Sequence, residues 1–214
     1  MTHEEKEYYS LVSQAFNVLA PYYDLVAAPL AGVREKVVHM TQARRDSHVL
    51  DVATGTGTQA LAFARKGCQV VGVDLSEAML AVARRKNVNG SVTFEYADAT
   101  RLRFQDNSFD IACISFALHD MPRAVQVRVL REMARVTRPR GVIVIVDYAL
   151  PKNRLGAWLV YQLVGLYEAD YYRAFIHSEL NTLLAEAGIK VAADVPVLLG
   201  AGRILKGMKA KSSA

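Results

Sequence analysis

Apolar positions in residues 1–45 recur at helical spacing. Tyr8, Leu11, Val12, Ala15 and Leu19 form a stripe that stops at Pro21, and Val37, Val38 and Met40 mark a second helix over 33–43. Between them "APYYDL" predicts a kinked, tyrosine-rich joint, because proline cannot continue the first helix. From Ser47 the pattern changes. Short runs that are apolar on both faces, "HVLDVA", "QVVGVDL", "VTFEYAD", "FDIACIS" and "GVIVIVDYA", alternate with helical stretches. Helices are predicted over 57–66 and 76–86, the second opened by Ser76 as its N-cap, and an arginine-rich helix separates the last two runs. Strands buried on both faces and joined by helices imply a parallel sheet covered on both sides, a doubly wound α/β fold.

The end of the chain breaks this alternation. After a helix over 178–187 closed by Gly188, two strand-like runs, 189–195 and 198–206, have little more than Pro196 and Val197 between them. A parallel crossover needs about a dozen residues or more, so these two runs must pair antiparallel. The expected organisation is a helical cap (1–45), a core (46–207) carrying an insertion at 151–176, and a tail (208–214).

Composition adds exclusions. A chain of 214 residues that is 52% hydrophobic and 22% charged can bury a sizeable globular core. Two cysteines, Cys68 and Cys113, exclude a disulfide framework and a multi-cysteine zinc site and suit a reducing cytoplasm; no metal is expected. "MTHEEKEYYS" has no apolar core and is no signal peptide, and the longest apolar run, 155–167, is too short to span a bilayer. The net charge of +5 owes much to Arg123, Arg128, Arg131, Arg135, Arg138 and Arg140. On a helix 128, 131 and 135 share a face opposite Val125, Val129, Met133 and Val136, which reads as a solvated amphipathic surface. Aromatic residues do not interleave with these arginines, so nucleic acid is not an expected partner, while peripheral contact with an anionic membrane stays open.

Chemistry concentrates in "LDVATGTGTQA", which from Gly55 matches the G-x-G-x-x-G/A dinucleotide fingerprint. Gly55 and Gly57 permit a tight turn and close approach of a ligand, but that suits any nucleotide. Asp51, just ahead of the loop, discriminates. Its carboxylate would repel a pyrophosphate and would favour a ligand with ammonium and sulfonium charges, as in S-adenosylmethionine. Asp74 ends the second run, where a carboxylate can accept hydrogen bonds from ribose hydroxyls. Asp98 and Ala99 end the third, where an adenine edge could be read. Local readings compete: Asp74 as a cap of the helix at Ser76, Asp98 as a turn cap.

The segments "VLDVATGTGTQA", "VVGVDLSEAML", "YADATRLRFQDNSFDIACISFALHDMP" and "LREMARVTRPRGVIVIVDYALP" resemble, in order and spacing, the motifs of class I S-adenosylmethionine-dependent methyltransferases. The resemblance covers about residues 15–207 and points to the ubiquinone/menaquinone-biosynthesis C-methyltransferase branch, whose F-x-x-x-A-x-x-Y-D segment is matched by Phe16–Asp24 with one extra residue. It implies a mostly parallel seven-stranded sheet with the last strand antiparallel. It also implies that Asp51, Gly55 and Gly57 hold the methionine moiety, Asp74 the ribose, and Leu75, Met79, Asp98 and Ala99 the adenine. Ser115 and Phe116 would line the cofactor, and Tyr23 would close over it. Thr54 stands where many members have glycine or cysteine.

Methyl transfer from a sulfonium needs alignment above all, and a weak phenol or carbon nucleophile also needs its proton removed. His119, in "FALHDMP", is the candidate base, with a backbone carbonyl or Asp120 as the competing structural partner and Asp120 capping the next helix. Asp147 and Tyr148 are expected to face the acceptor. The stretch "RLGAWLVYQLVGLYEADYYRAF" gathers Trp158, Tyr161, Tyr167, Tyr171, Tyr172 and Phe175, which with Tyr22 in the cap suggest an enclosed apolar acceptor pocket. The expectation is methylation of an apolar or aromatic small molecule, a quinol ring carbon foremost. Phospholipid or small-amine N-methylation stays open, as does a non-catalytic regulatory subunit that binds the cofactor.

Overall fold

The computed structural model of the chain describes residues 2–164, 175–176 and 180–210. Helix α1 (His3–Leu19) starts at a capping box, in which the Thr2 hydroxyl accepts from Glu5 and the Glu5 carboxylate accepts from Thr2. The joint after Pro21 contains a short helix α2 (Tyr23–Val26) and a 3-10 turn (Ala28–Leu30), which leads into α3 (Ala31–Thr41).

The alternating half follows the expected sequence: β1 (His48–Val52), α4 (Thr58–Ala64), β2 (Gln69–Asp74), α5 (Glu77–Lys86), β3 (Val92–Tyr96), β4 (Phe109–Ser115), α6 (Arg123–Val136) and β5 (Thr137–Tyr148). Ser76 caps α5, accepting from the Met79 N–H at 3.3 Å. After β5 come α7 (Arg154–Val164), α8 (Leu180–Glu186), β6 (Ile189–Val197) and β7 (Gly202–Lys209). These form one seven-stranded sheet in the order β3-β2-β1-β4-β5-β7-β6. β7 runs antiparallel to both β5 and β6 and the remaining pairs are parallel. The sequence-based topology is thus observed.

Three boundaries move. β5 begins at Thr137 rather than Gly141, directly after α6, because Thr137 is extended and its hydroxyl ties back to the Met133 carbonyl at 2.6 Å. Arg138 and Arg140 therefore lie on a strand and not at the helix end. Residues 198–201 form a turn and not a strand, since Leu198 and Leu199 take left-handed backbone angles. β7 consequently continues to Lys209, into the stretch expected as a tail.

Two apolar layers sandwich the sheet. Val125, Val129, Leu130 and Met133 of α6 and Leu183 and Leu184 of α8 pack on one face with Tyr8 of α1; Val37 of α3, Phe63 of α4 and Leu80 of α5 pack on the other. The arginines of α6 act as fasteners. Arg128 pairs with Glu5 at 2.7 Å and Arg123 with Glu186 at 2.7 Å. Arg135 binds Glu132 and Asp106 and donates to the carbonyls of Leu102 and Phe104. Arg138 pairs with Asp110 at 2.5 Å. Such surface pairs contribute little each, yet the Arg135 cluster braces the loop that follows Asp98. Among the described residues no helix is long and apolar enough to cross a membrane.

Candidate functional site

The strand order reverses between β1 and β4, and the carboxyl edge at that switch point opens into a cavity of about 1140 Å³ counted out to its mouth. Two non-glycine residues, Ala53 after β1 and Phe116 after β4, hold left-handed backbone angles on either side of the switch point and line the cavity. Strain of this kind persists where the surrounding structure enforces it. Gly55 and Gly57 also have positive φ, of 55° and 75°. A Cβ on Gly57 would sit 2.5 Å from the Phe94 ring, so only glycine lets the loop pack on β3.

The glycine loop is held by carboxylates. Asp74 accepts from the Gly55 N–H at 2.7 Å and from the Ser76 N–H at 2.8 Å, so it braces the loop and caps the next turn at once. Asp51, 1% exposed, accepts from the Thr54 hydroxyl at 2.5 Å and from the Cys113 thiol at 3.0 Å. Burial raises its pKa to about 6, against the lowering effect of those two donors and the Ala60 N–H. Burial raises Asp74 as well. Asp98 accepts from Thr100 and, from across the cavity, from the Tyr9 hydroxyl of α1 at 2.9 Å.

The cap is latched onto this loop at a second point. Asp24 of α2 accepts from the Thr56 hydroxyl at 2.6 Å, the Thr58 hydroxyl at 3.2 Å and the Lys86 ammonium at 2.6 Å. Burial opposes the ionised form, but these donors together bring its pKa below the usual value. Tyr23, next in the chain, lines the cavity beside Arg34 of α3. Burial lowers the pKa of Arg34.

Among the described residues the cavity wall carries four carboxylates (Asp51, Asp74, Asp98 and Asp120) and one guanidinium, Arg34. A pyrophosphate would meet net repulsion there, whereas sulfonium and ammonium charges would be stabilised and Arg34 could take a carboxylate. The lining also has an apolar part: Val12, Phe16, Met121, Val125 and Val129, with Tyr8.

A methyltransferase domain model matches residues 49–141. A ubiquinone/menaquinone biosynthesis C-methyltransferase of Azotobacter vinelandii is 34% identical over 156 residues, 67% of this chain and 61% of the relative. The chain belongs to the class I S-adenosylmethionine-dependent methyltransferases. A demethylmenaquinone methyltransferase of Paenarthrobacter aurescens is 39% identical over 147 residues, 65% of this chain and 56% of that one. The match thus spans about three fifths of these curated relatives' length. A solved S-adenosylmethionine-dependent methyltransferase of Aquifex aeolicus has the same fold, with a TM-score of 0.64 at 22% identity over 82% of this chain and 89% of that one.

S-adenosylmethionine is the cofactor of this class, and the methyltransferase cavity suits it. Gln59 Oε1 and Ser115 Oγ are buried without a hydrogen-bond partner among the described residues, and both residues line the cavity. An orphaned acceptor and hydroxyl at a cavity wall await a polar ligand. Tyr23, Asp51, Gly55, Asp74, Leu75, Met79, Asp98, Ala99, Ser115 and Phe116 all line this one cavity, with Gly57 just behind the loop.

The residues expected at the acceptor are placed differently. His119 is 2% exposed and lies behind the wall, its Nδ1 2.7 Å from Asp147 and its Nε2 3.4 Å from Asp120. Asp147 is fully buried and accepts from the Leu118, His119 and Tyr148 N–H groups. The Tyr148 ring stacks edge-on against His119 at 4.7 Å. None of the three reaches the cavity; Asp120 does. Asp120 does not cap α6, whose N-cap is Pro122. Tyr22 is 67% exposed and Trp158 57% exposed, turned to solvent, and Tyr161 is half-buried away from the cavity. Tyr167, Tyr171 and Tyr172 lie outside the described residues.

Sequence reasoning missed Arg34, Tyr9, Gln59 and Asp120 as wall residues. For Arg34 the signal was present but unread: a cation on the helix face that carries Val37 and Val38 inward, one turn before them.

Proposed function

We propose that the chain transfers a methyl group from S-adenosylmethionine to an apolar or aromatic small molecule, with a quinol ring carbon as the first candidate acceptor. One observation carries this reading: a single cavity is lined both by carboxylates, suited to a cationic methyl donor, and by apolar side chains suited to a ring and its substituents. The relatives' names, which include menaquinone and ubiquinone biosynthesis, support the choice of acceptor. When bound, S-adenosylmethionine supplies an electrophilic methyl group. Asp51, Asp74, Asp98 and Arg34 orient that donor, and the packed walls exclude water. Asp120 presents a carboxylate on the acceptor side and takes the proton that a phenol must lose before its ring carbon can attack. His119, fixed by Asp147, positions Asp120.

Calorimetric titration with S-adenosylmethionine and with NAD tests donor choice; tight binding of NAD alone overturns it. Incubation with S-adenosylmethionine and a dithionite-reduced naphthoquinone, followed by mass spectrometry, tests the acceptor. A methylated ring supports the reading, and cofactor binding without turnover on aromatic, lipid or amine acceptors supports a regulatory subunit instead. Tyr8 lies close enough to Asp120 to feel its charge, and a tyrosine beside a carboxylate also suits a cationic amine. Methylation of small amines in place of quinols would favour that second reading.

A further inference from the structure

We infer that the chain docks on an anionic lipid bilayer through a surface built from the start of α7 and the turn between β6 and β7. Two segments distant in sequence meet there. The Ala149 N–H donates to the Ala201 carbonyl at 3.0 Å, and a Cβ on Gly200 would lie 3.2 Å from the Pro151 Cα, so the turn sits directly against the residues leading into α7.

The side chains at this junction are apolar and outward. Leu199 is fully exposed, Leu155 is 70% exposed and Trp158 57% exposed. Leu155 and Trp158 stand three apart on α7, hence on one helix face. Leu199 reaches the tip in a left-handed backbone angle of φ 55°, while Leu198, at φ 52°, packs against the apolar layer beneath the turn. Asn153 caps the start of α7, accepting from the Gly156 N–H at 2.6 Å, so this helix is locally built to begin at the patch.

Charge selects the occupant. Lys152 and Arg154 flank the apolar residues, both exposed, and no acidic residue occurs in 149–164 or 198–202. The nearest carboxylate on β6, Asp194, is neutralised by Arg203. A tryptophan, aliphatic knobs and basic residues without an acidic partner among the described residues, on one short amphipathic element, are the composition that settles at the headgroup boundary of an anionic membrane. A protein partner of ordinary composition would not require the missing acids, and a second copy would set Lys152 and Arg154 against themselves. α7 leaves the same carboxyl edge of the sheet at which the cavity opens, so docking there brings the cavity's side of the molecule to the lipid. This surface is independent of the proposed reaction.

Trp158 is the chain's one tryptophan, so its fluorescence reports on this patch directly. The full chain is titrated with vesicles of phosphatidylcholine containing phosphatidylglycerol and with vesicles of phosphatidylcholine alone, at low and high salt. Expected are a blue shift and quenching by bromolipids with the anionic vesicles, weakened by salt. The double change Lys152→Glu, Arg154→Glu should lower partitioning about tenfold or more. Leu199→Asp should also reduce it, while Val18→Asp, in a separate exposed stretch of the cap, should leave it unchanged. All these sites are exposed, and unaltered thermal midpoints confirm folding. Absence of vesicle binding, binding without a Trp158 response, or insensitivity to the charge reversal each overturns the inference. So does self-association in sedimentation that Leu199→Asp abolishes.

Discussion

Asp51 makes cofactor affinity and the stability of the free protein respond to pH in opposite directions. Its carboxyl is raised from 3.8 to about 6 in the folded chain, chiefly by burial. A raised pKa means that the native state holds the proton more tightly than the unfolded state, so this group's favourable contribution is complete below 3.8 and disappears as pH rises through about 6. Keeping the carboxylate ionised in place at neutral pH therefore costs about 3 kcal/mol. Asp51→Asn removes that cost while the Thr54 hydroxyl still finds an oxygen, so the free protein should gain about 1–3 kcal/mol at pH 7. Cofactor binding reverses the sign. A ligand bearing two positive charges stabilises the carboxylate, so affinity should fall about tenfold between pH 7 and pH 5 as the free protein takes up its proton. The ligand's own amino group, with an ordinary pKa near 8, stays protonated through this window. Calorimetry at half-unit steps, in two buffers of different ionisation enthalpy, gives both the affinity and the protons released. Affinity that stays level from pH 5 to pH 7, or an Asp51→Asn variant with the wild-type pH profile, would refute the assignment of the cationic ligand to this carboxylate.

Other perturbations separate binding, positioning and packing. Asp74→Ala deletes the acceptor for Gly55 and Ser76 and the proposed ribose partner; the dissociation constant for S-adenosylmethionine should rise about tenfold or more, and an unchanged value would remove Asp74 from the site. His119→Gln leaves the buried Asp147 short of a donor and should cost about 2–4 kcal/mol in chemical denaturation. Asp120→Asn, at a partly exposed wall residue, should instead keep stability within about 1 kcal/mol and lower turnover roughly 10²–10⁴-fold with cofactor affinity retained; the opposite pattern would return the base to His119. Gly57→Ala drives a Cβ into the Phe94 ring and into Ala83, and thermal scans should show a loss of about 2 kcal/mol or more; a neutral result would mean that the loop can shift away from β3.

Where the sequence and the structure part company, the reason is side-chain direction. Tyr22 and Tyr23 are neighbours with the same composition signal, yet only Tyr23 lines the cavity, because α2 is a short turn latched through Asp24 to Thr56, Thr58 and Lys86. His119 and Asp120 are likewise adjacent, yet only Asp120 lines the cavity, because Asp147 holds the imidazole behind the wall. Trp158 belongs to the aromatic-rich insertion but points outward, since nothing in the local pattern sets the phase of α7 against the sheet. The arginine stripe of α6 was legible as a helix face, but its partners Glu5, Asp106 and Glu186 are far away in sequence and could not be named from it.

By itself the sequence determined what depends on local periodicity and on chain connectivity. Runs apolar on both faces demanded a doubly covered sheet, the brief link read at Pro196 and Val197 demanded an antiparallel final pair, and carboxylates at three successive strand ends had to arrive at one sheet edge. Only the tertiary structure decided which of two neighbouring side chains faces the cavity, that Arg34 joins the wall from a cap helix, and that the β6–β7 turn packs against the residues leading into α7. Those outcomes depend on helix phase and on contacts between distant segments, which are set by how the core packs rather than by any local pattern of residues.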